Sequence, residues 1–359
     1  MSTIAVDIFS GAGGLSLGFK WAGFRIAVAL DRDGYARQTY AHNNPEVLFL
    51  QRSVRTISGR EILRIANVEK VDVLIAGPPC SPYSMANRQR NGSAHPDSDA
   101  VHHFLRLVGE IHPRSFVMEN VRGIQFLNGG RTFKRICSKA KAQGYEVQQK
   151  ILEATALGVP QRRKRLFLIG FENGNPDFNF NSLDVRLNVL DAISDLPSLP
   201  EGGGGAIEMN YNKESRTDYQ KLMRGSCHTL LNHMSTLSSP LSLARFKHIP
   251  PKGSLRTIWD KLPQSLKKGI SSIKKVHWNI YRRLPLKEPS YTIVHVRKAV
   301  LIHPYEHRLI SAREAARLQS FPDSYRFFGG IDAQYQQIAD ATPPLVAKAL
   351  AERIAVLLK

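Results

Sequence analysis

Along the first 170 positions two rhythms of apolar residues alternate. Short, nearly continuous apolar runs recur at TIAVDIF (3–9), RIAVAL (25–30), VDVLIAG (71–77), RSFVMENV (114–121) and RLFLIGF (165–171). Between them lie segments whose apolar residues return every three or four positions: LSLGFKWAGF (15–24), DGYARQTYAHN (33–43), DAVHHFLRLVGEI (99–111) and GRTFKRICSKAKAQG (130–144). The runs predict buried strands and the spaced segments predict helices. Strands that are apolar on both faces and alternate with helices predict an α/β fold with a doubly wound, mostly parallel sheet.

The rhythm stops after residue 171. NGNPDFNFNS, DLPSLP and EGGGG, between 173 and 205, are loop chemistry. Regularity returns at SAREAARLQSF (311–321), where Ser311 and Glu314 have capping-box spacing and predict a helix start. PPLVAKALAERIAVLLK (343–359) predicts an amphipathic helix opening after prolines, which returns to the first domain. The expected organisation is a discontinuous large domain, 1–178 and 303–359, and a smaller domain over 179–302.

Charge adds a partner to this picture. The 359 residues carry a formal net charge of +20, and positions 211–310 hold 19 lysines and arginines against 5 acidic residues. Such a concentration suits a polyanion, because lysine and arginine displace the counterions condensed on phosphates; solubility charge is the plainer alternative. No apolar run is long enough for a membrane span and the N-terminus does not read as a secretion signal. The three cysteines, Cys80, Cys137 and Cys227, are far apart in the chain, so neither a disulfide framework nor a metal site is expected, and the chain reads as cytoplasmic.

The candidate chemistry gathers at the carboxyl ends of the expected strands, where ligands bind in open α/β sheets. The first end reads DIFSGAGG, a glycine turn feeding a helix. Asp31 ends the second strand; it is placed either to accept from ribose hydroxyls or to cap a helix. Together they suggest a nucleoside-containing cofactor, although the full dinucleotide pattern is missing. GPPCSPYS (77–84) puts Cys80 behind two prolines at a third strand end, ahead of a polar segment, where a thiol suits nucleophilic work. Glu119 follows the next apolar strand, where a carboxylate is costly without a partner. Gln161, Arg163 and Arg165 precede RLFLIGF, and alternating arginines there suit a carboxylate or a nucleic-acid backbone.

DIFSGAGG, GPPCSPYS, ENV, QRRKR and SAREAARLQSFPD occur in the order seen in the DNA (cytosine-5)-methyltransferase family, and the chain resembles that family from about residue 4 to 352. The resemblance implies a Rossmann-like catalytic domain that binds S-adenosylmethionine and a variable target-recognition domain, which suits the basic insert. It implies that Cys80 attacks carbon 6 of a cytosine flipped out of duplex DNA, that Glu119 holds the ring nitrogen and exocyclic amine, and that Arg165, assisted by Arg163, stabilises Glu119 and the adduct. It implies Phe9, Gly11, Gly13, Leu15, Asp31, Pro79 and Asp340 for the cofactor, Ser81 and Ser84 for contacts from a closing loop, and Arg256, Arg282 and Arg297 for DNA. A partner restriction endonuclease and a monomeric enzyme complete the expectation. A cytosine-5 RNA (tRNA) methyltransferase with the same chemistry is the alternative. Two departures from the family pattern stand out: Ser53 occupies a position that is often acidic, and Ala339-Asp340-Ala341-Thr342 precedes Pro343-Pro344 where G-N-A-V is common.

Overall fold

The structure is a computed structural model describing residues 3–79, 99–174, 178–180, 186–275 and 280–359. Packing divides it into two compact units. The first comprises 1–157, 164–182 and 341–359; the second comprises 158–163 and 183–340.

The first unit contains β1 (Ile4–Ile8), α1 (Gly14–Trp21), β2 (Arg25–Asp31), α2 (Gly34–Asn43), β3 (Leu48–Gln51), α3 (Gly59–Ala66), β4 (Val73–Ala76), α4 (Ala100–Ile111), β5 (Ser115–Asn120), α5 (Arg131–Ala142), β6 (Glu146–Glu153), β7 (Lys164–Phe171) and the C-terminal helix (Pro344–Leu357). The seven strands form one sheet in the order β3-β2-β1-β4-β5-β7-β6. The first five are parallel, and β7 and β6 complete the edge antiparallel. The expected α/β sheet is therefore present, with its strand order reversing between β1 and β4, the place where such sheets open a crevice. Of the strands, β3 and β6 were not anticipated: the first is only four residues long and the second, EVQQKILE, is largely polar.

Central strands earn their apolar runs. Val6, Ile8, Leu74, Ala76, Phe116 and Met118 are buried with Phe104, Leu107 and Val108 of α4. On the other helix face, α1 packs against the C-terminal helix at backbone distance. A Cβ on Gly14 would lie 2.2 Å from the Thr342 carbonyl oxygen, and one on Gly18 would lie 2.5 Å from the Pro344 carbonyl oxygen. Glycine is what lets this helix sit so close. No helix among the described residues is long and apolar enough to cross a membrane.

The second unit contains α6 (Val189–Ile193), β8 (Gly204–Asn210), α7 (Asp218–Arg224), β9 (Thr229–Ser235), α8 (Pro240–His248), α9 (Leu255–Ile258), β10 (Arg282–Arg283), α10 (Val296–Ala299), β11 (Leu301–Ile302), α11 (Ala312–Leu318) and α12 (Ile331–Asp340). Two small two-stranded sheets, β8-β9 and β10-β11, run through it. The capping box expected at Ser311 and Glu314 does open α11.

Residues 303–340 pack with this second unit, whereas the sequence suggested that they return to the first. The reason is a set of buried arginines. Arg317 donates to Asp195 at 3.1 and 3.2 Å and to Asp323 at 2.6 and 2.7 Å, all three fully buried. Arg313 donates to the carbonyls of Leu231, Pro322 and Tyr325. Arg308 grips Glu314 with two hydrogen bonds of 2.7 and 2.8 Å. The Arg313 bond to Leu231 ties α11 to β9 and the Arg317 bonds to Asp195 tie it to the end of α6, because a buried guanidinium must satisfy its donors within the protein.

Candidate active site

The glycine turn after β1 is conformationally special. Phe9, Gly11 and Gly13 all have positive φ, at 57°, 51° and 88°. Glycine tolerates that region freely; Phe9 does not, and a non-glycine residue held there is a common mark of a functional site. A Cβ at Gly11 would meet nothing within 4 Å, so the turn faces open space. Gly13 is the N-cap of α1 and, lacking a side chain, provides no cap bond. Leu15, in the first turn of α1, is buried.

Asp31 reaches across from the neighbouring strand end. Its Oδ2 accepts from the Gly11 backbone N–H at 2.9 Å and its Oδ1 from the Asp33 N–H at 2.9 Å. Burial raises its pKa above the usual aspartate value, against the lowering effect of those backbone bonds. The helix-cap alternative falls to Asp33 instead, whose Oδ1 accepts from the Ala36 N–H to start α2. An open turn at a helix start with a carboxylate tied to it fits a ligand with sugar hydroxyls, as S-adenosylmethionine would present. Ser53, at the departure from the family pattern, caps a short 3-10 turn by accepting from the Arg55 N–H.

The tips of β1, β4 and β5 converge. Ala76 pairs with Ile8 on one side and Met118 on the other. A Cβ at Gly77 would be 3.9 Å from both Glu119 Oε2 and the Phe9 carbonyl oxygen. Asn120 donates to the Pro78 carbonyl at 3.3 Å and accepts from the Val121 N–H, tethering the two tips. The sequence reading passed over this tether, since an asparagine after a strand signals nothing by itself. Pro79 is half-buried at the end of this segment. Cys80, Ser81 and Ser84 lie outside the described residues.

Glu119 meets a cation. It pairs with Phe167 of the antiparallel β7, which makes Arg165 its diagonal neighbour on the same face. Arg165 Nε lies 2.9 Å from Glu119 Oε1, with side-chain exposures of 17% and 10%. The costly carboxylate thus has the partner that its depth demands. Arg163, although of the same alternation, is almost fully buried and donates to the carbonyls of Ile293 and Ala339. Gln161, also buried, donates to the Leu318 carbonyl and to Gln319 Oε1 and accepts from the Ile293 N–H. Both serve the packing of the second unit.

The remaining expected residues are dispersed in the second unit. Asp340 is exposed at the end of α12 and accepts from Gln336. Arg256 is exposed on α9. Arg282 stacks over the Tyr291 ring, 3.4 Å from its centroid. Arg297 is held by both carboxylate oxygens of Asp332.

Residues 4–356 match the family model described as C-5 cytosine-specific DNA methylase. The chain belongs to that family. It is 36% identical to the Type II methyltransferase M.DdeI of Desulfomicrobium norvegicum, over 97% of this chain and 88% of the relative. It is 34% identical to the Type II methyltransferase M1.HphI of Haemophilus parahaemolyticus, over 99% and 87%. Among solved structures, a prophage-encoded protein of E. coli described as a DNA modification methyltransferase is similar over 99% of each chain, with a TM-score of 0.79 and 26% identity. As a C-5 cytosine-specific DNA methylase, the protein methylates cytosine in DNA and draws on S-adenosylmethionine for the methyl group.

Proposed function

We propose that this methylase acts on one cytosine of a specific duplex sequence, flipped out of the helix, through a transient bond to Cys80. The observation that carries the reading is the Glu119–Arg165 pair, because this partnered carboxylate on β5 lies beside Gly77, which follows the neighbouring β4 and stands three positions before Cys80 in the sequence. Carbon 5 of cytosine is a poor nucleophile. Addition of the Cys80 thiolate to carbon 6 converts the ring to an enamine and moves electron density onto carbon 5. Glu119 holds the ring nitrogen and exocyclic amine and supplies the proton that neutralises the adduct. Arg165 orients Glu119 and offsets its charge, and Arg163, two positions earlier, assists. Once carbon 5 carries the methyl, loss of its proton to solvent breaks the bond from carbon 6 to sulfur, expels Cys80 as thiolate and restores the aromatic ring. When bound, S-adenosylmethionine supplies an electrophilic methyl on a sulfonium. Phe9, Gly11, Gly13, Leu15, Asp31 and Pro79 would hold it, with Asp340 as a further contact.

In this reading residues 179–302, nearly all of them in the basic second unit, are the target-recognition part, and Arg256, Arg282, Arg297, Ser81 and Ser84 contact DNA. Restriction-endonuclease pairing, a monomeric enzyme and a cytoplasmic location belong to the same reading; the described cysteines, Cys137 and Cys227, are free thiols, which suits a reducing compartment.

Duplex DNA carrying 5-fluorocytosine tests it, because fluorine blocks the final elimination. The expected result is an adduct at Cys80, abolished in Cys80→Ala. An adduct on Cys137 or Cys227, or methyl transfer to tRNA in preference to duplex DNA, would overturn it.

A further inference from the structure

A second carboxylate lies beneath the glycine turn and takes no part in the chemistry above. Asp7, in the middle of the sheet on β1, is fully buried. Its Oδ2 accepts from the Ser16 hydroxyl at 2.6 Å, and the Ser16 backbone N–H also donates to it. Ser16 is the third residue of α1, so that N–H is one of the unpaired donors of a helix start. Gly13 cannot cap those donors. The cap comes from Asp7, six residues earlier in the chain and on the strand below. Tyr40 of α2 completes the chain by donating to Ser16 Oγ at 2.6 Å. Three elements, β1, α1 and α2, are thereby joined around the turn at Ser10–Gly13 and the strand end that carries Asp31.

The arrangement is an expensive one. Asp7 Oδ1 is buried and has no hydrogen-bond partner among the described residues. Burial pushes the carboxyl up to about 7, the Ser16 bonds counteracting and the charge of Asp31 on β2 adding to the rise. On the other flank β4 presents only apolar residues, VLIA. Lys20, one turn further along α1, is occupied by Asn44 and Glu46. A hydrophobic residue at position 7 would avoid that penalty, so the carboxylate points to a task beyond packing.

We propose that Asp7 is a positioning residue for the cofactor turn: through Ser16 and Tyr40 its ionised carboxylate holds the start of α1, and with it Ser10–Gly13, in the shape that receives S-adenosylmethionine. The proposal rests on the cofactor reading given above. The ionised form is the stronger acceptor, so cofactor affinity rises with pH through neutrality. Stability moves the other way, because the folded state binds a proton that the unfolded chain has already released.

The test is calorimetric titration of the full-length protein with S-adenosylmethionine at pH 6 and pH 8, beside melting curves and KM values for cofactor and DNA. In Asp7→Asn the affinity at pH 8 falls about tenfold, equal to about 1.4 kcal/mol, and the gap narrows at pH 6. The KM for DNA stays within about twofold, and the melting temperature of Asp7→Asn gains on the wild type as pH rises. A residue that served packing alone would move stability and leave the affinity and its pH dependence untouched. Tyr40→Phe, which deletes one hydroxyl, weakens cofactor binding about threefold and decides the matter should Asp7→Asn misfold. Unchanged cofactor affinity in the variants, or equal losses for cofactor and DNA, overturns the proposal. Failure of the wild type to bind S-adenosylmethionine at either pH overturns the cofactor reading itself and the proposal with it.

Discussion

If Arg165 works through Glu119, removing it should matter only while Glu119 keeps its charge. The two side chains meet at 2.9 Å with little exposure, so the contact is a charge-assisted hydrogen bond in a largely desolvated setting. Such bonds are worth about 1.5–3 kcal/mol, and a coupling of about 2 kcal/mol corresponds to roughly 30-fold in rate. Single-turnover methyl transfer to duplex DNA is the assay, for wild type, Arg165→Ala, Glu119→Gln and the double variant. Arg165→Ala is expected to slow transfer about 30-fold. Glu119→Gln, which removes the group proposed to protonate the ring, is expected to cost about 10²–10⁴-fold, the range of a positioned acid. The double variant should be scarcely slower than Glu119→Gln alone. Melting temperatures should show the same pattern, with Arg165→Ala losing about 3 kcal/mol by stranding a buried carboxylate and recovering part of that loss in Glu119→Gln/Arg165→Ala. Rate losses that simply multiply would refute the reasoning, since independent residues add in free energy within about 0.5 kcal/mol.

Three further outcomes follow from packing and charge. Gly14→Ala places a Cβ 2.2 Å from the Thr342 carbonyl oxygen, a backbone atom that cannot swing aside; a loss of about 1–3 kcal/mol by thermal unfolding is expected, and full tolerance would contradict the close α1 contact. In the second unit, burial would raise Glu314, but the Arg308 guanidinium holds its carboxyl well below the usual range. Its stabilising contribution is therefore present above about pH 4.5 and lost as the pH falls, and Glu314→Gln should flatten the acid limb of the stability curve. Arg317→Met leaves Asp195 and Asp323 buried without their shared guanidinium and should cost about 3–5 kcal/mol; a loss below 1 kcal/mol in a melting experiment would show that the network contributes little.

Local pattern determined much of this protein on its own. Central strands buried on both faces are mostly apolar, so β1, β2, β4, β5 and β7 stand out in the sequence, as do the glycine turn and the Ser311–Glu314 cap. The edge strand β6 escaped because one polar run resembles another when periodicity is the signal. What tertiary structure alone decided are pairings between residues distant in the chain. Nothing in the spacing of Asp31 and Asp33 says which of them caps α2, or that Asp31 instead holds the Gly11 N–H. The alternation of Arg163 and Arg165 reads identically for both, yet one binds a carboxylate and the other backbone carbonyls. Arginines 308, 313 and 317 are buried, and partners far along the chain, the Leu231 carbonyl for Arg313 and Asp195 for Arg317, pack 303–340 with the second unit. Asp7 shows the same division: its run predicts a strand, and only the helix folded above it reveals what the carboxylate holds. Periodicity is a property of neighbours along the chain, whereas the value of a buried charge is set by whichever groups the fold brings to it.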